Sequence, residues 1–210
     1  MIRAWEESRT LGISEYVTNA LENSGVFILG LFTSDAVTGI YAAIEKLARA
    51  LLSVFQPLIK ALFPYLSGKW SSDINIAQAD ARKWSIRLTF TVILISIVTA
   101  LFSEFGLNIL FGDTWGQHSS LLQLFCVWLI FAVMSASLGQ LWLLASGEKI
   151  LYSKVLLLSS LVQLISAVWF TLQFSLYGMA SALLVTEVIK LILFAYAINK
   201  WKLRMQTCVS

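Results

Sequence analysis

Leu121-Leu-Gln-Leu-Phe-Cys-Val-Trp-Leu-Ile-Phe-Ala-Val-Met-Ser-Ala-Ser-Leu-Gly-Gln-Leu-Trp-Leu-Leu-Ala145 runs for 25 residues without one charged side chain. Coiled as an α-helix at about 1.5 Å per residue, it is about 37 Å long. The hydrocarbon core of a bilayer is about 30 Å thick, so this stretch has the length and the chemistry of a spanning helix. Its neighbours repeat the pattern. Leu88–Leu110, Ile150–Leu172 and Leu176–Ile198 are also clear, with one or two charged residues each, and all four sit in a chain that is 58% hydrophobic and 13% charged, with a mean hydropathy of +0.78. Soluble domains average about 25% charged residues, and a chain of this size could not hide so much apolar surface from water. Two prolines in 210 residues suit long helices better than a turn-rich β protein.

Two further runs, Leu11–Phe32 and Ala36–Leu66, are long enough to span but carry charges. The distribution of Lys and Arg decides how they are read. Counted through the segments outside the spans, from the N-terminus to the tail, the series is 2, 0, 4, 0, 2, 0, 3. Basic residues collect on the cytoplasmic side of short loops, and removing either doubtful helix would break the alternation. The expectation is therefore an all-α polytopic membrane protein, a single bundle over residues 1–210. Its six transmembrane helices lie near 11–32, 36–66, 88–110, 121–145, 150–172 and 176–198, with both termini cytoplasmic. Met1–Thr10 lacks the basic start and short apolar core of a secretory signal, so the first run reads as a retained span. Trp5, Trp70, Trp84, Trp142 and Trp201 fall near the expected cytoplasmic interface, and Trp115 and Trp169 near the outer one, as amphipathic indoles prefer. The stretch Ser67–Lys83 reads as the one long loop, with the composition of a helix lying in the interface. Cys126 and Cys208 read as free thiols of a reducing compartment.

An ionisable group at mid-membrane costs about 2.5–3.5 kcal/mol on insertion scales, so such residues turn toward protein or water. In the first run Glu15, Asn19, Glu22 and Asn23 recur at spacings of three and four and form one polar stripe. Either the run is an interfacial helix, or these residues hydrogen-bond to packed helices, or they line a water-filled cavity. In the second run Glu45 and Arg49 are four apart and can pair on one face. Lys46 is turned about 100° from Glu45 and remains an extra cation, suited beside Arg49 to an anionic group such as a phosphate. Lys60 reads as snorkelling to the headgroups, Glu187 and Lys190 as a self-satisfied pair, and His118 as solvated. There is no metal-ligand cluster, no GxxxxGK loop and no paired histidine, so neither an enzyme nor a cofactor is implied. No basic face with interleaved aromatics suggests nucleic acid.

Phe27-Ile-Leu-Gly-Leu-Phe-Thr-Ser-Asp35, Gly39-Ile-Tyr-Ala-Ala-Ile-Glu-Lys46 and Ala61-Leu-Phe-Pro-Tyr-Leu-Ser67 together resemble the polysaccharide (O-antigen) flippases of the multidrug/oligosaccharidyl-lipid/polysaccharide exporter superfamily. Ile109-Leu-Phe-Gly-Asp-Thr-Trp115, Gly147-Glu-Lys149 and Leu176-Tyr-Gly-Met-Ala-Ser-Ala182 follow in the same order, so the resemblance covers about Trp5 to Trp201. It implies one six-helix bundle, the second, of a two-bundle fold in the bacterial inner membrane. It also implies the flipping of an undecaprenyl-diphosphate-linked oligosaccharide for surface polysaccharide. Lys46 and Arg49 would then hold the diphosphate, the Glu15–Asn23 stripe would line the sugar path, and Glu22 or Glu45 would be the candidate ion carrier. Glu22 departs from the pattern, where a smaller hydroxyl or amide residue is expected. The implied partners are the lipid-linked sugar, membrane lipids, and a first-half bundle or a second copy of the chain. A drug or metabolite antiporter of the same superfamily, and a non-transporting partner or remnant, are the alternatives.

Overall fold

The structure is a computed structural model that describes Gly12, Ile13, Tyr16, Thr18, Leu21 and every residue from Ser24 to Val209. All regular structure among these residues is helical. The early residues Gly12, Ile13, Tyr16, Thr18 and Leu21 are helical, and six longer elements follow: α1 (Gly25–Phe32), α2 (Asp35–Ser72), α3 (Ile74–Leu101), α4 (Ser103–Phe111), α5 (Ser119–Ser137) and α6 (Lys149–Val209). A 3₁₀ turn (Trp115–His118) precedes α5, and a π-helical segment (Leu138–Leu144) continues it.

Four helices are long and apolar enough to cross a membrane: Asp35–Ser72, Ile74–Leu101, Trp115–Leu144 and Lys149–Leu203. The stretch quoted at the outset forms most of the third, which is the most buried of them. It packs against α2, α3, α4 and α6. Leu121, Phe125, Leu129 and Val133, spaced by four, point inward and are almost fully buried. The outer faces are apolar as well: Phe90, Ile97, Ile165 and Ile192 are each more than half exposed. In water that exposure would be a liability; against lipid it costs nothing. The chain is a multi-pass membrane protein.

Helix α6 is one element only by its hydrogen-bond pattern. Ser175 sits at φ 53° and ψ −128°, a turn conformation, and there the helix doubles back. Ser166 and Thr186 are 20 residues apart, about 30 Å along a straight helix, yet their hydroxyls are 3.5 Å apart. The Tyr152 and Phe194 rings stack at 5.6 Å. Two antiparallel arms therefore run from Lys149 to Phe174 and from Leu176 to Val209.

Helices α2 and α3 differ from the sequence expectation at their ends. Residues 67–83 form no loop, because α2 runs on to Ser72 and α3 begins at Ile74. A helix is not obliged to stop where the hydrocarbon stops, and Ser71 and Ser72 satisfy their hydroxyls on the carbonyls of Gly68 and Lys69. The single junction residue, Asp73, accepts hydrogen bonds from the backbone N–H of Asn75 (2.9 Å) and Ile76 (3.1 Å) and so caps α3. Tyr65 donates to Asp80 at 3.0 Å and Lys69 pairs with the same carboxylate, which fixes the corner. The expected span 88–110 is broken at Phe102, where α3 hands over to α4. In the expected first span, α1 covers Gly25–Phe32, and the described residues Gly12, Ile13, Tyr16, Thr18 and Leu21 before it are helical as well.

At the end of the bundle that carries Lys69, Arg82 and Lys149, three indoles cluster. Trp70 lies 6.0 Å from Trp142 and 5.4 Å from Trp201. The Trp70 N–H donates to the Leu141 carbonyl at 3.2 Å. That carbonyl lies in the π segment, where the backbone ladder is shifted by one residue.

Candidate functional site

A cavity of about 430 Å³ opens between α2, α5 with its π extension, and both arms of α6. Its α2 wall is one helix face, Arg49, Leu52, Gln56 and Lys60, at spacings of three, four and four. Ser135 and Gln140 line it from α5 and the π segment, Tyr152 from the first arm of α6, and Glu187 and Lys190 from the second. Thr18 closes one side, its hydroxyl 2.9 Å from that of Ser160.

Arg49 has the richest surroundings. Its Nε donates to Glu45 Oε1 at 2.8 Å and its Nη2 lies 2.7 Å from the same oxygen. The guanidinium also stands 5.9 Å from the centre of the Trp128 ring, within reach of a cation–π attraction. Glu45 is 4% exposed and Tyr41, one turn earlier, is fully buried against Phe125 at 5.7 Å. The carboxylate therefore anchors the guanidinium from below while its far edge faces the cavity.

Across the cavity Lys190 Nζ donates to Glu187 Oε1 at 2.7 Å, and Ser135 donates to Glu187 Oε2 at 2.6 Å. Both charged residues are nearly buried, at 6% and 7% exposure. The Ser135 bond ties α5 to the second arm of α6, and the Lys190 bond, within that arm, fixes the carboxylate that accepts it. A large chamber with two carboxylate–cation pairs and a third cation, Lys60, suits the binding of an anion with hydroxylated attachments.

Of the residues singled out in the sequence, Arg49 lines this cavity and Glu45 holds it. Lys46 is exposed on α2 and does not line the chamber. Glu15, Asn19, Glu22 and Asn23 lie outside the described residues. The sequence reading gave Lys60 no role and treated Glu187–Lys190 as a closed pair; both line the chamber, with Gln56, Ser135 and Gln140. The α2 wall was open to detection, since Glu45, Arg49, Gln56 and Lys60 follow a single stripe of spacing four, seven and four. The α5 and α6 contributions had no such signal.

A family model for polysaccharide biosynthesis proteins matches residues 1–70, the stretch that ends in α2. A Shigella dysenteriae protein named "Putative O-antigen transporter" is 24% identical over 205 residues. The chain is thus similar over its first third to the polysaccharide biosynthesis family and over nearly its whole length to that Shigella protein. The alignment covers 95% of this chain and 50% of the Shigella protein, so the chain spans about half the length of that relative. No solved structure matches the chain.

Proposed function

We propose that the chain forms one bundle of a transporter that flips a lipid-diphosphate-linked oligosaccharide across the bacterial inner membrane. The observation that carries this reading is the line of Arg49, Gln56 and Lys60 down one cavity wall, faced by Lys190. Arg49 and Lys60 are 11 residues, about 16 Å, apart along α2. Lys60 lies toward the basic end of the bundle and Arg49 near mid-membrane, so a diphosphate entering from the basic side would meet cations at the mouth and at depth. The amides of Gln56 and Gln140 and the Ser135 hydroxyl offer hydrogen bonds to sugar. With the basic ends cytoplasmic, the chamber opens to the cytoplasmic leaflet, where the lipid-linked unit would be picked up.

The same reading has six crossings and cytoplasmic termini. The first run supplies one crossing and each arm of α6 another, the arms being long enough at about 1.5 Å per residue. The second bundle would come from a first-half protein or another copy of the chain. Lys46, exposed on α2, would then reach substrate only in a cavity shared between two bundles. Cations in the wall disfavour a cationic-drug antiporter, and nothing in the chamber calls for catalysis.

Complementation of a flippase-null strain tests the proposal. The wild-type chain, alone or co-expressed with a first-half bundle, restores surface polysaccharide, whereas Arg49→Ala and Lys60→Ala insert normally and fail. Normal glycan display from both variants would remove the anion site from these residues. Loss with Arg49→Ala and Lys60→Ala but not Lys46→Ala would place the diphosphate inside the single bundle.

A further inference from the structure

A second cavity, of about 450 Å³, lies on the outer face of the bundle, between α3 and α5 with its π extension. Its walls are helix faces. Arg82, Ser85, Ile86, Thr89, Phe90 and Ile93 line it from α3 at spacings of three and four. Met134, Ser137, Leu138 and Trp142 line it from the other side. The α3 wall from Arg82 to Ile93 is 11 residues, about 16 Å, or one leaflet of a hydrocarbon core about 30 Å thick. One end, at Ile93 and Met134, is purely apolar. The other, at Arg82 and Trp142, is polar and lies beside the basic corner of the bundle, where Lys202 sits 4.5 Å from the Trp142 ring centre.

Arg82 is exposed at that end, and the wall between it and Ile93 is mostly apolar. A lipid-facing groove one leaflet long that ends at an exposed cation matches an anionic lipid, with its chain along the wall and its charge at the mouth. We infer that this groove is a specific site for one anionic phospholipid of the leaflet at the basic end. Its acyl chain lies along Ile86, Phe90, Ile93 and Leu138, and its phosphate and negative headgroup meet Arg82. The site is separate from the chamber of Arg49 and Glu187 and does not depend on the transported substrate.

The test is native mass spectrometry of the purified chain after incubation with phosphatidylglycerol or phosphatidylcholine of identical acyl chains. Wild type retains one phosphatidylglycerol, favoured about five-fold over phosphatidylcholine, the ratio that one basic residue gives at an anionic surface. Ile86→Trp, which fills an exposed part of the groove, loses the retained lipid. Arg82→Gln, an exposed change that leaves the packing alone, keeps a lipid but binds the two kinds equally. Equal retention of both lipids by wild type overturns the proposal, as does retention in Ile86→Trp at the wild-type level, which would mean annular lipid only. Absence of any retained lipid in wild type also overturns it.

Discussion

Ser175 carries an unusual backbone for its residue type. Its φ of 53° with ψ of −128° is the geometry of the first central residue of a type II′ turn, a position that favours glycine. A residue with a Cβ held there costs about 1–3 kcal/mol. Ser175→Gly is accordingly expected to stabilise the protein by about 1 kcal/mol or more, read as a higher midpoint in thermal unfolding of the detergent-solubilised chain. An unchanged or lower midpoint would show that the serine is unstrained. At the same scale, charged pairs were the most legible part of the candidate site. Glu45 with Arg49, and Glu187 with Lys190, are four and three apart, and a helix brings such neighbours together whatever surrounds it. What they face is a different matter. Ser135 is 52 residues from Glu187, and no local rule joins them.

Among the elements, the α6 hairpin depends on a close approach. A Cβ at Gly178 would stand 2.0 Å from the carbonyl oxygen of Phe170, which is backbone and cannot swing aside. Gly178→Ala is expected to cost about 1–3 kcal/mol by overpacking and to lower the midpoint in the same unfolding experiment, with helix content by circular dichroism retained. The junction between α2 and α3 makes a second prediction. Asp73 takes two backbone N–H groups at the start of α3, and loss of such a cap costs about 1 kcal/mol. Asp73→Ala should therefore loosen this corner, detected as faster amide exchange at Asn75 and Ile76; unchanged exchange would show that the corner is held by the Lys69–Asp80 pair instead. The apolar runs gave the helices but misjudged where they end. Hydropathy marks the part of a helix that sits in lipid, whereas hydrogen bonding continues into water until a cap or a break such as Phe102 stops it.

For the whole molecule, the reading of an even number of crossings with basic ends inside is open to a direct test. Green fluorescent protein fused after Val209 should fluoresce, and alkaline phosphatase inserted at Gly112 or beside Ser175 should be active in the periplasm. Phosphatase activity at the C-terminal fusion would reverse the orientation and turn the cation-lined chamber to the outer leaflet. Inactive phosphatase at Ser175 would remove the hairpin from the membrane.

The amino-acid sequence by itself determined that this is a helical membrane protein. Apolar excess and run length are properties of the chain, and no arrangement of these residues could make them soluble. It also carried the likeness to the flippases, because that lies in local strings such as Gly39–Lys46. Only the tertiary structure decided which faces meet. It set Arg49 and Lys60 on the chamber wall and Lys46 off it, and it brought Ser135, Glu187 and Lys190 to the opposite wall. Helical periodicity states which residues share a face, but the rotation of each helix about its axis is set by packing. That packing rests on contacts such as Phe194 with Tyr152 and Trp70 with Leu141, between residues distant along the chain.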